Sequence, residues 1–169
     1  SGAGRGGLDP QVLTALSTCD ALLQVVRAFE DEQVPHPSGS VDPARDLAGL
    51  RLELILSDLA IVERRIERIE AGIKKLQGAQ RQAQEHELAL MQRFQEILEA
   101  EGLIGDLELS DEDRRLIRGY QFLTAKPALV VANIGEEDGE MDLTWAGRPR
   151  TLALRGTLEM EISQLPAEE

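Results

Sequence analysis

The chain has 169 residues, a formal net charge of −13 at pH 7, 42 % hydrophobic residues and 3 % aromatics. That length allows one compact domain, or a small domain with a helical projection, and a core of Leu, Ile, Val and Ala suits helices and parallel strands better than an aromatic-rich β sandwich. Such acidity repels phosphate backbones, so a nucleic-acid surface would have to be local; the plainer reading is that the charge serves solubility.

A single cysteine, Cys19, excludes an internal disulfide and argues against a Cys-based metal site; beside an apolar run it is expected as a small buried side chain. No apolar run approaches the roughly 20 residues of a membrane span, and the glycine-rich start lacks a signal-peptide core, so a cytoplasmic location is expected.

Along the chain, Asp9-Pro10 reads as an N-cap followed by proline at the first helical position, opening a short helix to about Thr18. Residues 21–27 form an apolar run of strand length, of the kind buried on both faces in a parallel sheet. Pro35, Pro37, Gly39 and Pro43 then mark a loop, and Asp42-Pro43 caps the next helix. From Leu52 to Leu76 the apolar residues alternate at spacings of three and four. This is a heptad seam with Leu52, Leu59, Ile66 and Ile73 at a, and Ile55, Val62, Ile69 and Leu76 at d. Five acids, Asp58 among them, and six bases are interspersed over residues 51–75; Arg64, Arg65 and Arg68 could make a small basic patch, but a solvated face is the plainer expectation.

Gly78 marks the end of that helix, and a second resumes from Ala79 to about Glu101 with Ala79, Ala83, Leu90, Phe94 and Ile97 on its inner line. The short turn leaves the two antiparallel, a coiled-coil hairpin thinly packed at its tip. Ser110 with Asp113 predicts a capping box and a third helix through Ile117. His36 and His86 share no metal spacing and read as surface residues. Residues 128–134 predict a second buried strand, 135–149 an acidic loop in which Trp145 pins the loop to the domain, 151–155 a third strand, and Leu158, Ile162 and Leu165 a terminal helix. Three parallel-type strands with a helical hairpin between the first and second make an α/β domain with an insertion.

Four stretches in order carry a family resemblance. They are Cys19-Asp20-Ala21 with residues 25–31 (Val-Val-Arg-Ala-Phe-Glu-Asp); Val41-Asp42-Pro43 with Asp46 and residues 53–59; residues 122–127 (Phe-Leu-Thr-Ala-Lys-Pro) leading to Val131-Ala132-Asn133-Ile134-Gly135-Glu136; and Gly156 through Glu159, Glu161 and Ile162. Together they resemble the Obg-related YchF subfamily of P-loop NTPases, the Obg-like ATPases. The resemblance implies a fold: an α/β, Rossmann-like P-loop NTPase domain, partial here, interrupted by an antiparallel coiled-coil hairpin. It divides the chain into 1–48 and 120–169, two parts of a nucleotide domain, with the helical insertion at 49–119.

The resemblance also implies a purine site. The family replaces the Asn-Lys-x-Asp of GTPases by Asn-x-x-Glu, matched by Asn133 and Glu136 around Ile134. A glutamate, one methylene longer, need not keep the bidentate geometry that selects guanine. Arg155, Gly156 and Thr157 correspond to the last nucleotide loop, whose backbone would meet the base. For a full-length parent the resemblance implies ATP or GTP with Mg²⁺, and association with ribosomes. No G-x-x-x-x-G-K-[ST] loop and no complete switch II Asp-x-x-Gly occur in these residues, the Asp46-x-x-Gly49 spacing falling inside the helix that Asp42-Pro43 opens; Gly2 to Gly7 resembles only the tail of switch II, and 155–157 reads Arg-Gly-Thr rather than Ser-Ala-Lys. The chain alone is therefore expected not to hydrolyse nucleotide. Two other readings stay open: a non-catalytic homologue whose hairpin is a docking arm, and, more weakly, a free coiled-coil dimer.

Overall fold

The computed structural model describes residues 8–136, 143 and 151–165. They form α1 (Pro10–Thr18), β1 (Leu22–Arg27), α2 (Pro43–Ile73), α3 (Gly78–Glu99), α4 (Asp111–Ile117), β2 (Ala128–Asn133), β3 (Thr151–Leu154) and α5 (Gly156–Ser163), with short 3-10 turns at Ile104–Asp106 and Arg118–Tyr120. Gly2 to Gly7, Trp145 and most of the acidic loop lie outside the described residues. Two compact units emerge. The first takes Ala21–Leu50 and Ala128–Glu169, and the second Leu8–Asp20 and Arg51–Pro127.

The first unit is the parallel sheet, in the order β1-β2-β3. β1 pairs β2 from Leu22 beside Ala128 to Arg27 beside Asn133, and β2 pairs β3 from Val130 beside Thr151 to Asn133 beside Leu154. Partners in a parallel register share a face. Val26, Val130 and Ala132 lie on one face and pack with Ala28, Ile134 and Leu47 of α2 into a core, with Leu143 against it. The other face carries Leu23 and Val25 with Leu152 and Leu154.

Here the expectation of two-sided burial fails for β1. Leu23 is 63 % exposed and Val25 58 %, while Leu152 and Leu154 are each more than a third exposed. The apolar run is of the kind that suits a covered sheet, but on that face only Val131 of the central strand is buried, while Leu23, Val25, Leu152 and Leu154 stay open to solvent.

The second unit is a helical hairpin with its base. α2 ends at Ile73 and α3 begins at Gly78, whose φ of +56° a residue without Cβ adopts freely. Of the heptad positions, Ile55, Val62 and Ile69 at d are buried, whereas Leu52 at a is exposed. Ile55 and Val62 pack with Leu90, Met91, Phe94 and Leu98 of α3 and with Ile104, Ile117 and Phe122. Phe122 meets Phe94 edge-on at 5.7 Å and stacks on Tyr120 at 5.3 Å. The predicted inner alanines, Ala79 and Ala83, are exposed instead. The buried residue of the first half of α3 is Glu87, held by Arg65 through paired bonds of 2.8 and 2.7 Å. At Ser110 the capping box forms as predicted, with Asp113 as its acid.

Asp58, which the sequence shows only as one of the interspersed charges of the long helix, is fully buried. One carboxylate oxygen accepts from Leu123 N at 2.9 Å, and the other accepts from Thr124 N and Thr124 Oγ1, both at 2.7 Å. Two residues at the end of the insertion, Leu123 and Thr124, are thereby tied to the middle of α2 by three bonds. Burial pushes this carboxyl above the usual range, and the three donors and Lys126 pull against it. Cys19 is exposed rather than buried, because it follows the last turn of α1 and turns its sulfur back towards Ala15 O, 3.4 Å away. Its carbonyl and that of Ser17 both accept from Lys126 Nζ. His36 is likewise more than a surface residue, since its Nε2 lies 2.9 Å from Asp46 Oδ2 in the first turn of α2.

The Asp58 junction makes a direct prediction. Asp58→Asn sets an N–H group against buried donors and lowers unfolding stability by about 2–3 kcal/mol in urea titration. Glu67→Gln, which removes a charge from an exposed position of α2, changes the unfolding free energy by no more than about 0.5 kcal/mol.

Candidate functional site at the carboxyl ends of the strands

In open parallel sheets the loops beyond the carboxyl ends of the strands form the crevice in which ligands sit. The loop leaving β1 and the segment leaving β2 do this here. Ala28, Phe29, Glu30, Asp31 and Glu32 lie on one side and Ile134, Gly135 and Glu136 on the other, with Val41, Pro43 and Thr157 completing a cavity of about 820 Å³. That volume falls within the range of small-molecule sites.

Each wall is held by backbone bonds that prolong the strand pairing. Ala28 N donates to Asn133 O at 2.8 Å, and Ile134 N donates to Leu154 O at 2.9 Å. The β1 loop has a further brace in Arg27. Its guanidinium donates to the carbonyls of Phe29 (2.9 Å), Val34 (2.6 Å) and Asp31 (3.4 Å), and lies 4.7 Å from the centre of the Phe29 ring. One cation thus gathers three carbonyls that would otherwise leave the loop free to wander.

Of the six residues singled out from the sequence, Ile134, Glu136 and Thr157 line the cavity. Asn133 and Gly156 meet each other instead: Gly156 N donates to Asn133 Oδ1 at 3.0 Å. The asparagine, expected to face a purine edge, spends its acceptor on fixing the start of α5 to the end of β2. A Cβ on Gly156 would fall 2.9 Å from that oxygen, so this close approach needs glycine. Arg155 is absent from the lining; it precedes the helix, and its carbonyl accepts from Glu159 N at 2.9 Å.

The residues that sequence reasoning did not assign to the site are the 28–32 wall and Val41 with Pro43. In the sequence Phe29, Glu30 and Asp31 belong to a stretch of family resemblance, and residues 30–32 begin a loop, but neither feature assigns them to a site. The usable signal was an arginine at the exit of a buried strand followed by a short polar loop.

Chemically the cavity has apolar walls (Ala28, Phe29, Val41, Pro43, Ile134) and four carboxylates (Glu30, Asp31, Glu32, Glu136), and among the described residues no lysine or arginine lines it. Carboxylates accept hydrogen bonds from base N–H and ribose O–H groups and repel phosphate. Among the described residues no three or more His, Cys, Asp or Glu side chains are grouped to hold a metal ion. This donor set does not fit Mg²⁺. No helix among the described residues is long and apolar enough to cross a membrane.

No protein-family model matches the chain. The ribosome-binding ATPase YchF of Pasteurella multocida is 33 % identical over 179 residues, covering 100 % of this chain and 48 % of that protein. The chain is homologous to the YchF and Obg-like ATPases. YchF of Bacillus subtilis is 36 % identical over 138 residues, 81 % of this chain and 37 % of that one. Obg-like ATPase 1 of Schizosaccharomyces pombe is 34 % identical over 144 residues, again 81 % of this chain. The solved structure of the Schizosaccharomyces pombe YchF GTPase superposes with a TM-score of 0.81 at 28 % identity, covering 99 % of this chain and 48 % of that one. The chain spans about half the length, or less, of the YchF relatives it matches.

The Gly156–Asn133 contact gives the site's own prediction. Gly156→Ala destabilises by about 1–2 kcal/mol, because Asn133 must yield and its bond is lost. In an Asn133→Ala background the same substitution costs less than half as much. A double-mutant cycle by chemical denaturation reads that coupling directly.

Proposed function

We propose that this chain is the base-and-sugar side of a YchF-type nucleotide domain. The observation that carries the reading is the cavity at the carboxyl ends of β1 and β2, lined by Ile134, Glu136 and Thr157 with further carboxylates and, among the described residues, no cation. In this reading the purine lies against the apolar walls, and Glu136 with the 30–32 carboxylates accepts from base and ribose. The phosphates of ATP or GTP, with Mg²⁺, are held by residues outside these. The whole protein hydrolyses the nucleotide, and this chain alone does not.

The homology supports this reading, and so does the exposure of Leu23, Val25, Leu152 and Leu154, apolar residues of the kind a further α/β layer covers. The division into 1–48, 49–119 and 120–169, the coiled-coil character of the hairpin, a ribosomal partner for it and a cytoplasmic location belong to the same proposal. A second reading, a non-catalytic homologue acting through the hairpin, draws support from the four carboxylates facing a site that in an NTPase must tolerate phosphate.

Calorimetric titration separates these readings. Adenosine or guanosine should bind at least as tightly as the matching triphosphate, because the acidic rim disfavours phosphate, and Mg²⁺-dependent phosphate release should be absent. A triphosphate bound tenfold more tightly than its nucleoside, or measurable hydrolysis, would overturn the proposal. No binding of any purine would favour the docking module.

A further inference from the structure

A second cavity, of about 470 Å³, lies wholly within the hairpin unit. Its volume falls in the range of small-molecule sites, and it shares no described residue with the cavity at the strand ends. Two segments line it: residues 17–20 at the end of α1, and part of the stretch 117–127 that closes the insertion. Lys126 joins them, donating from Nζ to Ser17 O at 2.8 Å and to Cys19 O.

The two segments differ in polarity. At the end of α1 the side-chain protons turn inward: Ser17 Oγ donates to Thr14 O, and Thr18 Oγ1 and Cys19 Sγ donate to Ala15 O. What remains for a ligand is acceptors, namely the hydroxyl oxygens, the Asp20 carboxylate and the negative end of a helix with no basic residue in its last turn. The other segment offers donors. Arg118 is exposed and, like Asp20, makes no ion pair among the described residues. Lys126 has two of its three N–H groups on carbonyls and keeps one. The Gln121 carboxamide is exposed beside them, on a backbone at φ +53°, a conformation that costs a residue with a Cβ and recurs at binding sites. The rest of the lining is apolar, from Ile117, Phe122, Ala125 and Pro127.

This pattern selects among ligands. A phosphate group would meet Asp20 and the negative helix end, with one unpaired arginine set against them. A purely apolar molecule would take water from Arg118 and Asp20 and return no partner to either. A molecule with an ammonium, an apolar body and a carboxylate answers all three parts of the lining. Size narrows the class: at roughly 30 Å³ per water the cavity has the volume of about fifteen waters, close to the non-hydrogen atoms of an apolar dipeptide and beyond those of one aliphatic amino acid.

We propose that this cavity binds a zwitterionic dipeptide with apolar side chains, its carboxylate on Arg118 and Lys126 and its ammonium on Asp20. The site is independent of the nucleotide cavity and stands whether or not a purine binds there.

Cys19, the single cysteine, is exposed in the lining, so its alkylation by iodoacetamide reports occupancy in the full chain. Saturating valyl-leucine should slow that alkylation at least about fivefold, because access to the thiol is lost. N-acetylvalyl-leucine and valyl-leucine amide each lack one charge, and each should need about tenfold more peptide for half-protection. Arg118→Gln should raise the half-protection concentration of valyl-leucine about tenfold and leave that of the amide unchanged, and Asp20→Asn should do the same with the N-acetyl peptide as the unchanged partner. The blocked peptides act on the wild-type chain, so the test holds even if a variant misfolds. No protection by valyl-leucine at about 10 mM, equal protection by the blocked peptides, or equal protection by inorganic phosphate would overturn the proposal. So would unaltered valyl-leucine protection in both folded variants.

Discussion

Everything in the first unit depends on the parallel pairing of β1 with β2, two strands separated by residues 28–127. The entropic cost of such a long closure rises slowly, by about 0.6 kcal/mol per doubling of loop length. An insertion this large is therefore tolerable if it folds by itself, and the hairpin unit has the means to do so. It has its own apolar core around Phe94 and Val62, and Asp58 binds the returning segment at Leu123 and Thr124. With the strands paired, the loop after β1 and the segment after β2 face each other, and the cavity between them is a consequence of register.

The two units hold their polar groups differently. In the sheet unit the polar work is done mainly by backbone: the bonds from Ala28 and Ile134 extend the ladder past the strand ends, and Arg27 collects the loop carbonyls. In the hairpin unit it is done by buried side chains, Asp58 with three donors and Glu87 with Arg65, Tyr120 and Gln84. Such groups stabilise only when fully satisfied. This division explains why a chain dominated by acids keeps two carboxylates inside one of its units.

Much of the fold was legible in the sequence because it is written in periodicity and caps. The strands at 22–27, 128–133 and 151–154, the long helix from Pro43 and the capping box at Ser110 all follow from local pattern. What local pattern cannot carry is the identity of the neighbour. An apolar strand reads the same whether one or both of its faces are covered, so the exposure of Leu23 and Val25 was invisible. Asp58 sits among alternating charges, and only Thr124, more than sixty residues away, reveals why it is buried. Cys19 was misplaced for the same reason, its neighbours in sequence being apolar and its neighbours in space a helix end and Lys126. At the cavity the sequence indicated Ile134, Glu136 and Thr157 through resemblance, whereas the wall at 28–32 needed the register of β1. The asparagine was read as a ligand-facing group, and in the structure it is the clamp on Gly156.

The central claim is that the ladder between the distant strands continues to the rim of the cavity. Amide hydrogen exchange followed by NMR tests it most directly. The Ala28 and Ile134 amides, bonded to Asn133 O and Leu154 O, should be protected to within about tenfold of the Val131 amide at the centre of β2. Exchange of both at the rate of an open loop, while Val131 stays protected, would contradict the account.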